Sequence, residues 1–348
     1  MKRSQEFFRG CLLGGAIGDA LGWPVEFNTY EQIAHRYGPK GIQDLQISSS
    51  GKAEITDDTQ MTLFTAEGIL RAETRGNRKG ICHPPSVVFF AYQRWMLTQG
   101  YQKIEEYEWI YDGWLLDVRE LHARRAPGNS CLSALSSRKL GTVEEPINNS
   151  KGCGGVMRVA PAGLFYGKEN VFDMAVDFAA ITHGHPSGYL SAGALANLIT
   201  SIMEGMDLET AVQTTITKLK AQDKHEECTR SLEKAIELLN SELPDIEAIT
   251  QIGEGWVGEE ALAISVYCAL KHQDDFMKAL VAAVNHSGDS DSTGAITGNI
   301  LGAYLGVSNI PESWVKNVEM NEIIIQIADD LLKGHQDTSE WWNRYPGY

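Results

Sequence analysis

Residues 288–306, GDSDSTGAITGNILGAYLG, decide how this chain is read. An acidic, hydroxyl-rich cluster (Asp289, Ser290, Asp291, Ser292, Thr293) runs directly into an apolar, helix-periodic segment rich in Gly and Ala. Such segments allow close helix–helix approach. A second one, 9–22, lies near the other end of the chain. Helical periodicity dominates throughout, with candidate helices near 5–21, 58–74, 86–98, 104–117, 130–138, 171–182, 187–204, 208–221, 226–242, 258–271, 274–286, 293–306 and 320–333, while alternating strand patterns are almost absent. The expected fold class is all-α.

A matching cluster, Thr56-Asp57-Asp58-Thr59, also stands where a helix begins. Asp, Ser and Thr are favoured helix N-caps, because a side-chain oxygen satisfies the orphan N–H groups of the first turn. One cap needs one acceptor, however, and each cluster spends two carboxylates and at least two hydroxyls. Together they read as two halves of one oxygen-rich site for a hard divalent cation such as Mg²⁺. Four converging aspartates without a cation repel one another. Halves so far apart in sequence meet only if the chain closes on itself, so a single domain over residues 1–348 is expected, with no low-complexity linker to divide it.

The 348 residues carry a formal net charge of −16, with 43% hydrophobic and 22% charged content, as in an ordinary globular protein. Such acidity disfavours nucleic acid and anionic membrane as partners, since phosphate binding needs clustered Lys and Arg. Six cysteines without a CxxC pair fit reduced thiols and a cytoplasmic location. The first 22 residues imitate a secretion signal, but Glu6, Arg9 and Asp19 interrupt the apolar run. No apolar stretch reaches membrane-spanning length. The state expected by default is a monomer.

Read in order, GCLLGGAIGDALGWPVEF (10–27), ITDDTQMTL (55–63), KGCGGVMRVAPAGL (151–164), THGHP (182–186) and residues 288–306 resemble the ADP-ribosylglycohydrolase family. The resemblance implies a compact multi-helix orthogonal bundle, two bound Mg²⁺ ions with Mn²⁺ as a substitute, and hydrolytic removal of ADP-ribose from modified proteins. Motif by motif, it implies that Thr56, Asp57 and Asp58 ligate one metal and that Asp289, Asp291 and Ser292 or Thr293 serve the other. Asp58 and Asp291 are implied in catalysis together with Glu26, which in relatives lies beside the metals. The glycine-rich loop, with Ser150, Gly152, Cys153, Gly154 and Gly155, is implied to lie against ADP-ribose. His183 and Trp256 are implied as further substrate contacts. Relatives often carry Asn where Cys153 stands.

On their own, the histidines of 182–186 lack a third nitrogen or sulfur ligand and read as capping or packing residues. Asp19 reads as a buried structural acid. The tail residues Trp341, Trp342, Tyr345 and Tyr348 read as a clamp on an apolar surface. For the acceptor, arginine is expected, because a guanidine leaving group accepts a proton readily and suits an acidic rim. Relatives of the dinitrogenase reductase-activating kind carry an Asp where this chain has Pro127, which leaves a serine hydroxyl as the alternative acceptor. Two other readings stay open: a non-catalytic ADP-ribose-binding or structural family member, and a Mg²⁺-dependent diphosphate lyase of the terpenoid-synthase sort. Against the lyase, the segment from Asp57 to Met61 lacks the third acid of a DDxxD motif.

Overall fold

The computed structural model describes residues 1–347; Tyr348 lies outside them. The fold is all-α: among the described residues there are helices and two isolated bridges, Ala53 with Val318 and Gly152 with Val257, and no β-strand.

The N-terminal helix, Gln5–Gly22, packs antiparallel along Ser290–Leu305. Glycines spaced four apart put one face of each helix at the seam. Gly10, Gly14 and Gly18 meet Gly302, Gly298 and Gly294 in turn, and a methyl group at any of the six would come closer than 3.0 Å to the opposite backbone. The ladder continues to Gly22, which faces Ser290. Asn299 locks the register by donating from Nδ2 to the Cys11 carbonyl at 2.8 Å. This contact sets GDALG against the 289–293 cluster at one end of the bundle. The two acidic clusters of the sequence are thereby drawn to the same end.

Around this pair lie Asp57–Lys79, Pro186–Met203 and Gly258–Lys271, the last two with almost every residue buried. At the C-terminus, Trp341 is buried and donates from its indole N–H to Thr74 at 2.9 Å, and buried Tyr345 donates to Asp330 at 2.9 Å. These contacts fasten the tail to Asp57–Lys79 and to Asn321–Lys333. No helix among the described residues is long and apolar enough to cross a membrane.

Local boundaries depart from expectation in places. The single helix expected over 104–117 is instead a series of short 3-10 turns, Glu105–Ile110, Trp114–Asp117 and Arg119–His122. Gly113 adopts φ 109° and Tyr107 leaves helical geometry, its ring packed edge-on against Phe89 and Phe90. Side-chain packing therefore outweighs local helical periodicity there. Tyr30–Tyr37, Ala160–Phe165, Asp245–Ile252, Glu312–Asn317 and Ser339–Arg344 are further short helices.

Candidate active site

Thr56 caps Asp57–Lys79, its hydroxyl oxygen accepting the Asp58 N–H at 3.3 Å. Asp19, fully buried, binds this turn from the N-terminal helix. Its carboxylate accepts the Thr56 N–H at 3.0 Å, the Thr59 N–H at 3.1 Å and the Thr59 hydroxyl at 2.5 Å. On the opposite side, Asp289 caps Ser290–Leu305 by accepting the Ser292 N–H at 3.3 Å. Asp291 accepts the same N–H at 3.0 Å, and Gly128 donates its N–H to Asp57 at 3.2 Å. Capping is thus real at both clusters, yet it occupies only part of their oxygen.

The remaining oxygens converge. Ligand atoms of Glu26, Asp289 and Asp291 all lie within 4.8 Å of one another, and Asp57 and Asp58 line the same cavity of about 460 Å³. All five acids are buried. Burial, followed by the charges of Asp291, Asp289 and Asp57, pushes the Glu26 carboxyl up to about 11. Asp57, Asp58 and Asp291 are held well above the ordinary carboxylate range, by burial first and then by their acidic neighbours. Burial also raises Asp289, and burial with Asp291 brings Asp19 up to about 7. Glu26 Oε2 and Asp58 Oδ2 have no hydrogen-bond partner among the described residues. Orphaned, desolvated carboxylate oxygens in such a crowd are the donor set that a hard divalent cation takes.

The glycine-rich loop forms another wall. Cys153–Gly155 is a 3-10 turn held by the Cys153 N–H to the Trp256 carbonyl at 3.2 Å and by the Gly258 N–H to the Lys151 carbonyl at 2.8 Å. The Cys153 thiol donates to Asp289 at 2.8 Å. His183 is buried behind the loop, its Nδ1 paired with the Thr182 hydroxyl at 2.8 Å. Burial and nearby Arg158 push the imidazole down to about 3, so it is neutral. A methyl group at Gly154 would sit 3.0 Å from both Cys131 Sγ and His183 Cε1, tighter than ordinary packing allows without a shift of those side chains. His185 accepts the Ser187 N–H at 3.1 Å and caps Pro186–Met203. At the mouth, Trp256 stacks on Phe27 with ring centroids 5.4 Å apart.

Of the residues expected from sequence, Glu26, Asp57, Asp58, Gly152, Cys153, Gly154, His183, Trp256, Asp289, Asp291 and Ser292 line this cavity. Thr56 is buried beneath the cap, and Gly155 packs on the Gly188 carbonyl. The Thr293 hydroxyl points inward, donating to the Asp289 or Ala283 carbonyl at 2.8 Å, with His286 Nε2 at 2.9 Å. Ser150 lines an adjoining hollow of about 430 Å³ and pairs with Ser130 at 2.8 Å. Arg124, Asn129 and Ser130 line both hollows, which therefore adjoin. Sequence reasoning missed Phe27, Arg124, Asn129, Ser130, Cys131 and Met157. The Ala126-Pro127-Gly128 turn before helix Asn129–Ser136 was the available signal for two of them.

The model of the ADP-ribosylglycohydrolase family matches residues 2–340. An uncharacterized protein of Archaeoglobus fulgidus is 29% identical over 346 residues, which cover 95% of this chain and 97% of that one. ADP-ribosylhydrolase ARH3 of Mus musculus is 24% identical over 375 residues, 97% of this chain and 94% of its own. ADP-ribosylarginine hydrolase Tri1 of Serratia proteamaculans is 25% identical over 332 residues, 93% and 78% respectively. A solved structure of an ADP-ribosylglycohydrolase-related protein complex shares the fold, with a TM-score of 0.70 at 23% identity over 96% of this chain and 99% of that one. With its family model matched over nearly its whole length, this chain belongs to the ADP-ribosylglycohydrolase family.

Proposed function

We propose that the chain is a Mg²⁺-dependent hydrolase that removes ADP-ribose from a modified protein side chain, arginine in the first instance, and so reverses mono-ADP-ribosylation. The observation that carries this reading is the convergence of Glu26, Asp289 and Asp291, with Asp57 and Asp58 in the same cavity wall. Two Mg²⁺ ions, or Mn²⁺ in their place, would be held by Asp57 and Asp58 on one side and Asp289, Asp291 and the cavity-facing Ser292 on the other. When bound, the cations supply a Lewis-acid field for ribose hydroxyls and lower the pKa of water.

The chain's own residues do the rest. The bond broken joins C1 of the distal ribose to the guanidine nitrogen, through an oxocarbenium-like state, and water supplies the new C1–O bond. Glu26 stands beside this bond, where it orients the water or passes a proton to the departing nitrogen. The glycine wall at Gly152 and Gly154 receives the ligand backbone, and Arg124 at the junction of the two hollows suits the diphosphate. Two adjoining hollows of about 460 and 430 Å³ offer room for a dinucleotide-like ligand rather than a single sugar. Neutral His183 adds no charge that would oppose a cationic acceptor. The acidic lining favours arginine.

The test is a panel of proteins carrying ADP-ribose on arginine or on serine, assayed with Mg²⁺ and with chelator. Release from arginine that requires Mg²⁺ supports the proposal. Release from serine alone moves the acceptor, and binding of ADP-ribose without any release favours a non-catalytic protein.

A further inference from the structure

Building on the cation centre just proposed, we infer that Cys153 lets the same centre capture a thiophilic divalent cation, Zn²⁺ or Cd²⁺, in competition with the hard ion. The Cys153 sulfur lies 2.8 Å from Asp289 Oδ2 and 3.6 Å from the Ser292 hydroxyl, so a soft donor sits in the rim of a hard carboxylate set. Two buried acceptors in the same cavity, Glu26 Oε2 and Asp58 Oδ2, are without partners among the described residues. Asp58 is 3% exposed and Glu26 9%. Mixed thiolate and carboxylate donors suit zinc-like ions, whereas Mg²⁺ takes oxygen only.

The second thiol in the lining is unsuited. Arg158 donates to Cys131 Sγ at 3.3 Å, and a guanidinium against the sulfur repels a second cation. The groups charged against Cys153 are carboxylates. On capture, the S–H bond breaks, its proton leaves to solvent, and the sulfur lone pair forms the metal–sulfur bond. No electron is transferred. The consequence is that a zinc-like ion inhibits a Mg²⁺ enzyme competitively, and that excess Mg²⁺ relieves the inhibition.

The experiment titrates metal-free protein with CdCl₂ and follows the sulfur-to-cadmium charge-transfer absorption in the ultraviolet. Wild type and C131S are expected to give the band, and excess Mg²⁺ to remove it. Cys153→Ser and C153A are expected to lose the band and to weaken Cd²⁺ binding about tenfold or more by calorimetry. A thermal melt of Cys153→Ser, which changes one atom, checks that the variant is folded. A band that survives in both Cys153 variants, or that saturating Mg²⁺ leaves in place, overturns the inference. Wild type that binds Mg²⁺ yet gives no band overturns it alone; wild type that binds neither cation overturns the proposed cation centre as well.

Discussion

Gly18 and Gly294 meet backbone to backbone, so that a methyl group on either would press into the carbonyl of the other. Their neighbours Asp19 and Asp291 interact across this contact, each a carboxylate that the site uses. The glycine seam is therefore the mechanical link between fold and chemistry: it decides how near the two ends of the chain approach.

Gly18→Ala and Gly298→Ala are expected to destabilise the protein by about 1–3 kcal/mol or more, because neither backbone can yield to a new Cβ. Gly167→Ala, with nothing near its Cβ position, should stay within about 0.5 kcal/mol of wild type. Denaturant melts of the three decide the matter. Wild-type stability in both seam variants means that the helices do not pack in this register.

Metal-free protein is expected to lose stability as pH rises. The Asp19 carboxyl goes from an ordinary value of 3.8 to about 7 in the folded chain, and Glu26 from 4.5 to about 11. Between those limits the folded state holds protons that the unfolded chain has released, so raising the pH favours unfolding. Calorimetric melts in chelator should fall from about pH 5 to about pH 8, and Mg²⁺ should raise the melting temperature more at the upper end, where more of these carboxyls are ionised. A flat or rising profile in chelator contradicts this electrostatic picture.

Much of this was readable in the sequence because it is local. The acidic clusters announce themselves by composition, and Gly–Ala richness marks the two central helices. What resisted reading depends on distant partners. The segment 104–117 has helical periodicity, but packing of Tyr107 against Phe89 and Phe90 and the positive φ of Gly113 break it into turns. Tyr30–Tyr37 is short, although Thr29 and Gln32 form a capping box that could have marked its start. Arg124 carries no motif of its own, and Phe27, although it ends the quoted 10–27 segment, carries no chemical signal there. Tertiary placement alone brings them to the cavity, and it alone separates the two expected hydroxyls, since Ser292 faces the cavity while the Thr293 hydroxyl turns inward.

Glu26→Gln is expected to keep most of the Mg²⁺ affinity, since the four aspartates remain, and to lose about 10²–10⁴ in kcat, the range for a positioned acid or base. Turnover kinetics paired with Mg²⁺ calorimetry separate the two effects. Near-normal kcat removes Glu26 from the reaction, and a parallel loss of metal makes it a ligand instead.

The most direct test replaces one acid from each end of the chain. Asp57→Ala and Asp291→Ala each remove part of one shared centre, so either alone should abolish Mg²⁺ binding and cut ADP-ribose release from an ADP-ribosyl-arginine protein by more than about a hundredfold. Release that persists in either variant, or that continues in the wild type after chelation, is the result that would contradict a common cation pocket.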